Sequence, residues 1–284
     1  MSGPRRNGGV AVREAMSGRR DPGTVRQRFG DVLRSEWAKA RTMRSTWYTV
    51  LAAVAVGALF GAMFAGAGAR EYVTATAAER AEFDPFGMAF RGLFFVQIIF
   101  GYLGMRSVTV EYGVRTLPAS LVAVPRRGRL LAAKAVVCSV MAFVAGEAAA
   151  LSVYLTGRAV LTARGVPVYD LGQPGVARAM LGVGILMATM SLFGLALGFL
   201  LRATSGGLTV LVAITALIPA MAPTFPAWLA SFVVKYWPAQ AGGRLVSVRE
   251  QSGLLAPWTG YAVFCGYVAV ALLAAFAIFR RRDA

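Results

Sequence analysis

Long apolar runs constrain this chain more than any other feature, because a helix needs about 20 mostly apolar residues to cross a bilayer. Six runs come close to or exceed that length, and they cover residues 47–68, 86–105, 130–155, 177–201, 207–222 and 257–279. Hydrophobic residues make up 57% of the 284 residues, above the roughly 45–50% that is usual in soluble domains. The sequence therefore predicts an all-α integral membrane protein with six transmembrane helices.

The fifth run is the least regular, because Pro219, Pro223 and Pro226 interrupt it before apolar residues resume at 227–234. That second stretch is too short to cross a membrane alone, and bent backbone at membrane depth needs protein or water to satisfy its polar groups. We favour a span followed by a short helix that re-enters from the outer face at 223–236. A single proline-kinked span is the alternative.

Basic residues predict the orientation, since cytoplasmic loops of membrane proteins carry an excess of Lys and Arg. The N-terminal region, the 106–134 loop, the 202–206 turn and the C-terminus together carry 21 of the 30 Lys and Arg residues. The other three connections carry the remaining 9. We therefore predict a multi-pass protein of the cell membrane with both termini in the cytoplasm. The net charge of +17 follows from this topology, so we expect no nucleic-acid partner.

The region before the first span divides into a tail and a helix. Residues 1–28 are rich in Gly, Arg and Ser without apolar periodicity, which predicts a disordered basic cytoplasmic tail. Residues 29–46 combine apolar and basic positions at helical spacing, which predicts an interfacial helix lying on membrane lipids. Its candidate residues are Arg34, Glu36, Trp37, Lys39 and Arg41, of which Glu36 falls on the apolar side. A plain basic flank that anchors the first span is the alternative.

Catalytic and metal chemistry lack their usual residues here. The chain has no histidine, and its two cysteines, Cys138 and Cys265, lie in apolar stretches, so we expect no metal, no disulfide and no cofactor bound by this chain. Glu147 is the one acidic residue inside a predicted span, where a carboxylate costs about 2.5–3.5 kcal/mol unless a neighbour such as Gln97 partners it. We favour a structural polar contact for Glu147 over a substrate or proton site.

The loop at 106–134 is more patterned than a passive connector needs to be. It contains Glu111-Tyr112-Gly113-Val114-Arg115-Thr116-Leu117-Pro118 and closes with Pro125-Arg126-Arg127-Gly128-Arg129. Residues 109–115 fit a short helix that Pro118 ends. An ordinary cytoplasmic loop, the alternative, would keep the arginines but would not require the Glu-Tyr-Gly segment.

Two stretches of the sequence resemble a known family, the six-span permease subunits of bacterial type-2 ABC exporters, particularly the actinobacterial ones. The stretch Arg34-Ser35-Glu36-Trp37-Ala38-Lys39-Ala40-Arg41, followed by Arg44-Ser45-Thr46-Trp47, resembles the elbow helix before the first span. The stretch from Glu111-Tyr112-Gly113 through Arg115-Thr116 to Ala132-Ala133-Lys134 resembles the coupling segment that docks onto a separate ATP-binding subunit. The broken fifth span is similar to the re-entrant elements of such permeases.

The resemblance implies a permease subunit of an ATP-driven exporter that forms the path of a hydrophobic or amphipathic substrate. It implies a homodimer or heterodimer of permeases and an ABC ATP-binding protein that holds ATP and Mg. The implied coupling residues are Glu111, Tyr112, Gly113, Arg115 and Thr116, with Glu111 and Arg115 bonding in a groove of the partner and Tyr112 as a buried anchor. The sequence carries no G-x-x-x-x-G-K-[ST] phosphate loop, so we expect ATP hydrolysis in the partner rather than in this chain.

Three other functions remain as alternatives to a permease. An ion-coupled secondary transporter would place several polar residues at the membrane midplane, whereas Glu147 stands alone in the predicted spans. An intramembrane enzyme would need an acid–base or nucleophile pair that the spans lack. A membrane-anchored assembly or regulatory protein, with the basic tail as a docking arm, is the third alternative.

Overall fold

The computed structural model of the protein describes residues 29–113, 127–249 and 251–282. All regular elements in these ranges are helical. In chain order the α-helices are α1 Phe29–Thr42, α2 Arg44–Thr74, α3 Ala77–Glu82, α4 Pro85–Phe90, α5 Leu93–Gly113, α6 Arg127–Thr162, α7 Val176–Leu201, α8 Thr204–Val212, α9 Ile218–Met221, α10 Ala227–Tyr236, α11 Pro238–Gly243 and α12 Pro257–Arg282. A π-helical turn, Ala213–Leu217, joins α8 to α9, and 3-10 turns cover Ala222–Thr224 and Arg244–Val246.

Six helical segments in the described part of the chain are long and apolar enough to span a membrane. They are Arg44–Thr74, Leu93–Gly113, Gly128–Thr162, Val176–Leu201, Thr204–Thr224 and Pro257–Ile278. The predicted all-α, multi-pass membrane fold is thereby confirmed. The predicted tail at 1–28 lies outside the described residues, and the cytoplasmic location of the termini stays a prediction.

The second span begins later than the sequence predicted. The apolar residues from 86 onward form the short helix α4, which Pro85 starts and which Asp84 caps by accepting a hydrogen bond from the Gly87 amide at 2.9 Å. A turn at Arg91 and Gly92 then leads into α5. A Cβ atom on Gly92 would lie 2.9 Å from the Gly61 amide nitrogen, so this turn packs directly on the backbone of α2.

Helix α7 is the central helix of the bundle and packs against α5, α6 and α12. In its most apolar window 78% of the residues are buried, whereas the corresponding fraction is 17% in α12. Helices α5 and α7 approach each other closely because glycines lie at their interface. A Cβ atom on Gly104 would lie 1.8 Å from the Ser191 carbonyl oxygen, and one on Gly194 would lie 1.8 Å from that of Gly101. Backbone therefore touches backbone at this interface.

The fifth span is followed by a separate helix, as favoured from the sequence. The chain is extended at Phe225 and Pro226, and α10 begins immediately afterwards. The indole of Trp237 donates a hydrogen bond of 2.6 Å to the carbonyl of Ile214 in the π-helical turn, which ties the region after α10 back to the fifth span. Whether α10 re-enters the membrane stays a prediction.

Candidate functional site

Four charged side chains converge where α1, α5 and α6 meet. The ammonium of Lys134 lies 2.7 Å from Glu36 Oε2 and 2.7 Å from Glu111 Oε1. The ammonium of Lys39 lies 2.8 Å from Glu36 Oε1 and 3.1 Å from Glu111 Oε1. We call Glu36, Lys39, Glu111 and Lys134 the charge cluster. Its two cations and two anions alternate, so each charge has opposite charges as its nearest neighbours.

The packing of α1 explains why Glu36 interrupts its apolar stripe. Val32 of α1 is buried against Leu130 and Ala133 of α6. Residues four apart share one face of a helix, so Glu36 follows Val32 on α1 just as Lys134 follows Leu130 on α6. The apolar contact between Val32 and Leu130 therefore places Glu36 beside Lys134. The stripe that was predicted to face lipid thus docks α1 onto α6 in this part of its length.

Three members of the charge cluster are almost completely removed from solvent. The exposed fraction of the side chain is 3% for Lys134, 7% for Glu36 and 11% for Glu111, whereas it is 43% for Lys39. Burying an unpaired ion costs several kcal/mol, so such groups persist only when their partners are placed well. The cluster therefore requires α1, α5 and α6 to keep one relative position.

Both pKa shifts in α1 agree with a cluster that is charged at neutral pH. Burial alone would raise the pKa of the Glu36 carboxyl, but the ion pairs and hydrogen bonds with Lys134 and Lys39 outweigh it and lower that pKa below 4.5. Burial alone would lower the pKa of Lys39, but hydrogen bonds and ion pairs with Glu36 and Glu111 raise it above 10.5. Opposite charges thus dominate over desolvation at both residues.

The stability that Glu36 contributes is expected to depend on pH in a defined direction. Because its pKa is lowered on folding, the contribution is complete above pH 4.5 and is lost as the pH falls through the folded-state pKa. The melting temperature of the purified wild type should therefore exceed that of Glu36→Gln at neutral pH, and the difference should shrink in acid. Glu71→Gln removes an exposed carboxylate and is the matched control. An equal difference at all pH values would contradict the assignment.

The predicted coupling residues divide between described and undescribed parts of the chain. Helix α5 continues without a break to Gly113, so the segment at 109–113 extends the second span instead of forming a separate helix. The Arg202 guanidinium lies over the Tyr112 ring at 5.0 Å from the ring centre. Arg115 and Thr116 lie outside the described residues.

The end of α5 also contacts the turn between α7 and α8. Besides the Tyr112 contact with Arg202, the hydroxyl of Thr204 donates a hydrogen bond of 2.7 Å to the hydroxyl of Thr109. Arg202 ends α7 in the left-handed conformation with φ 55°, and its amide donates to the Gly198 carbonyl. The last turns of α5 therefore touch three neighbouring parts of the protein, namely α1, α6 and the α7–α8 turn.

The structure adds a contact for Glu111 that the sequence did not indicate. Glu111 was predicted to bond to a partner subunit, and that stays a prediction. Its carboxylate faces Lys134 and Lys39 of its own chain, and the residue is 9% exposed. Its Oε2 atom is buried without a hydrogen bond to any residue that the structure describes.

The remaining elbow residues lie on the outside of α1. Arg34, Trp37 and Arg41 are exposed, and Trp37 has 42% of its surface accessible. The carbonyl of Arg41 accepts a hydrogen bond of 2.9 Å from the indole of Trp47. This bond holds the end of α1 against the start of α2.

Inside the spans, Glu147 of α6 has a backbone partner. Its Oε1 atom accepts a hydrogen bond of 3.2 Å from the amide of Gly184 in α7. Gly184 permits this approach, because a Cβ atom there would lie 2.3 Å from the same oxygen. Gln97, proposed from the sequence as a donor, is buried in α5 with 4% exposure. Elsewhere in α7, the hydroxyl of Thr189 shares a hydrogen bond of 2.7 Å with the hydroxyl of Tyr261.

Lys134 is the functional candidate that sequence reasoning did not single out. A signal was present, because the chain uses lysine at only three positions, Lys39, Lys134 and Lys235, among its 30 Lys and Arg residues. Two of these three lysines meet in the charge cluster. A compact ammonium fits between two carboxylates where the broad, planar guanidinium of arginine would need more room.

Residues 32–218 match the protein-family model described as "ABC-2 family transporter protein". The match covers 187 of the 284 residues and includes all four members of the charge cluster. It also includes the first four spans and most of the fifth. No curated protein matches the sequence.

Proposed function

This chain belongs to the ABC-2 family of transporter proteins, and on that premise we propose that it is the permease of an ATP-driven exporter. In this proposal a separate ATP-binding subunit, which holds ATP and Mg, docks on the coupling segment between α5 and α6. ATP-driven movement of that subunit pushes the segment and changes the accessibility of the path through the membrane. The observation that carries the proposal is the charge cluster at the base of the segment.

The charge cluster joins the two ends of the coupling segment to each other. Glu111 lies in the last turn of α5, and Lys134 lies two turns into α6, so their 2.7 Å contact closes the base of the loop. Glu36 and Lys39 attach α1 to the same point. A displacement of the segment would therefore move α1, α5 and α6 together, because separating them exposes or strands buried charges.

The contact with the ATP-binding subunit falls, in this proposal, on the tip of the segment. Arg115 and Thr116 bond to the partner. Gly113 is the last residue of α5, and a Cβ atom there would meet no atom of the described residues within 4 Å. Tyr112 lies next to them and contacts Arg202. Glu111 acts as a positioning residue that sets the direction in which the segment leaves the membrane.

A second permease copy, identical or similar, completes the transport path in this proposal. Three spanning helices bury little of their most apolar windows within the single chain, 28% in α2, 22% in the fifth span and 17% in α12. Their exposed faces are available to a second copy and to lipid. A hydrophobic or amphipathic substrate fits a path with such walls, because apolar helices offer few polar groups to a water-soluble one.

Co-purification tests the proposed partner. The tagged permease is expressed with ATP-binding cassette subunits encoded near its gene, purified in detergent and assayed for bound subunit and ATPase activity. We expect the wild type to retain one of them, and Arg115→Ala to lose it because a charge-assisted bond is worth about 1.5–3 kcal/mol. Glu111→Gln should keep the partner but weaken the response of its ATPase activity to the permease, since the variant alters only the base of the segment.

The exposed Arg91, on the connection between α4 and α5, provides the matched control as Arg91→Ala, which should behave as the wild type. Failure of the wild type to retain any ATP-binding subunit would overturn the proposal. If Arg115→Ala retains the subunit with unchanged ATPase activity, the coupling contact does not lie in the 114–126 region.

A further inference from the structure

A crevice beside the charge cluster has the composition of a lipid-binding site. It opens between α1, the start of α2 and the facing sides of α5 and α6. Its volume of about 90 Å³ is several times the roughly 10–15 Å³ that a cavity needs to hold one water molecule. The crevice adjoins Arg106, the first basic residue after the apolar part of the second span, and Ser45, which precedes the apolar part of the first. It therefore lies at the predicted cytoplasmic boundary of the membrane.

The start of α2 gives the crevice an anion-binding corner. Helix α2 has 31 residues and begins after Met43, which provides no side-chain cap. The first amides of such a helix carry a partial positive charge that attracts phosphate. Thr46, in the first turn, lines the crevice and is only 9% exposed. Its hydroxyl makes no hydrogen bond with the part of the chain that the structure describes, so it is available to a ligand.

The charges that line the crevice have one positive charge in excess. Glu36 and Glu111 are each paired with lysine in the charge cluster. Arg106 lines the same crevice and forms no ion pair with any described residue. The crevice thus offers a guanidinium and a hydroxyl to an anion, while its two carboxylates are already neutralised by Lys39 and Lys134.

The rest of the crevice is apolar. Its walls include Leu103, Val110, Val137 and Met141, which belong to the facing sides of α5 and α6. Apolar walls beside a cationic corner match a molecule with an anionic head and a hydrocarbon chain, because each buried methylene adds about 0.8 kcal/mol. An inorganic anion would leave these walls without a partner.

We propose that this crevice binds an anionic phospholipid of the inner leaflet. The phosphate lies at Arg106, Thr46 and the start of α2. One acyl chain lies along Leu103, Val137 and Met141 and continues into the surrounding bilayer. The bound lipid contacts α1, α2, α5 and α6 at once and so supports the same arrangement that the charge cluster holds. The inference depends neither on the partner nor on the direction of transport proposed above.

Native mass spectrometry of the delipidated full-length chain tests the site, with dioctanoyl phosphatidylglycerol as the probe. Dioctanoylglycerol, a lipid with the same chains and no phosphate, tests the preference for an anionic head, and soluble glycerol phosphate tests whether the head alone is sufficient. We expect one phosphatidylglycerol to bind at least about tenfold more tightly than dioctanoylglycerol, the ratio that one charge-assisted hydrogen bond provides. Glycerol phosphate should bind too weakly to compete.

Substitutions place the binding in the crevice. Arg106→Gln should weaken phosphatidylglycerol binding about tenfold, and Thr46→Val about threefold for one neutral hydrogen bond. Arg91→Gln and Thr42→Val make the same chemical changes at exposed positions and should bind as the wild type does. The melting temperature of each variant without lipid is measured first. Should Arg106→Gln not fold, Arg106→Met and Thr46→Val provide the same comparison.

Several results would overturn the proposal. Equal affinities for the two lipids would show that the crevice does not recognise the phosphate. Wild-type affinity in Arg106→Gln and Thr46→Val would show that the lipid binds elsewhere. Full competition by glycerol phosphate would show that the site binds a soluble phosphate compound and not a lipid. Finally, a phosphatidylglycerol with a photoreactive acyl chain should label α5 or α6 beside Leu103 or Met141, and labelling confined to other helices would exclude the crevice.

Discussion

Lys134→Met is expected to destabilise the protein by about 3–5 kcal/mol, the usual cost of removing one partner from a buried ion pair. The lysine has only 3% of its side chain exposed and contacts Glu36 and Glu111 at 2.7 Å. Methionine fills a similar volume, so the loss comes from charge and not from a cavity. Two nearly buried carboxylates would then share the half-exposed Lys39. The melting temperature of the purified protein in detergent measures the effect.

Two comparisons separate this effect from a general sensitivity to substitution. Lys235→Met changes a partly exposed lysine of α10 that is not a member of the cluster, and it should leave the melting temperature nearly unchanged. A triple variant, Glu36→Gln, Glu111→Gln and Lys134→Met, removes all three buried charges and should recover much of the loss, since apolar or neutral groups can replace a buried ion network. A melting temperature for Lys134→Met equal to that of Lys235→Met would show that the cluster does not hold α1 in place.

The membrane fold was predictable because a helix that crosses the lipid bilayer needs a long apolar run, which is visible in the sequence. The six predicted spans correspond to six observed ones, yet the helices extend past the apolar runs, as α2 does to Thr74 and α6 to Thr162. Hydrogen bonding continues a helix into water, where hydropathy no longer marks it. The second span differed for a local reason, because the Asp84 cap, Pro85 and the turn at Gly92 divide its apolar run into two helices.

The charge cluster was only partly predictable. Glu36, Lys39 and Glu111 were candidates because of their types and their places in two motifs. The contacts that form the cluster, however, join Lys39 to Glu111 across 72 positions and Glu36 to Lys134 across 98. Glu36 looked like a defect in a lipid-facing stripe, and only its contact with Lys134 explains it. The partner of Glu147 was not predictable at all, because the donor is the backbone amide of Gly184 and amides are present at almost every position.

Charge and close packing hold the bundle at different places. At the ends of α5 and α6 that flank the proposed coupling segment, the charge cluster joins α1, α5 and α6 through ion pairs. Within the spans, α5 and α7 are joined through glycines where backbone meets backbone. Because α5 takes part in both, the proposed push on the coupling segment would be transmitted along α5 to the central helix α7.

Gly194→Ala is accordingly expected to destabilise the protein by about 3 kcal/mol or more, at or above the top of the usual range for an overpacked core. The added Cβ atom would lie 1.8 Å from the carbonyl oxygen of Gly101 and 2.6 Å from its carbonyl carbon. Both are backbone atoms of α5, so no side chain can rotate away and the two helices must separate. Gly104, one turn along, would then lose its contact with Ser191 as well.

Gly266→Ala is the matched control, because Gly266 lies in the spanning helix α12 and a Cβ atom there would meet none of the described atoms within 4 Å. Alanine should be neutral or slightly stabilising at that position, since glycine inside a helix costs about 0.5–1 kcal/mol relative to alanine. The two variants differ only in whether a neighbouring backbone occupies the space of one methyl group. Equal melting temperatures for both would mean that α5 and α7 are farther apart than the structure places them, and that the central contact of the bundle lies elsewhere.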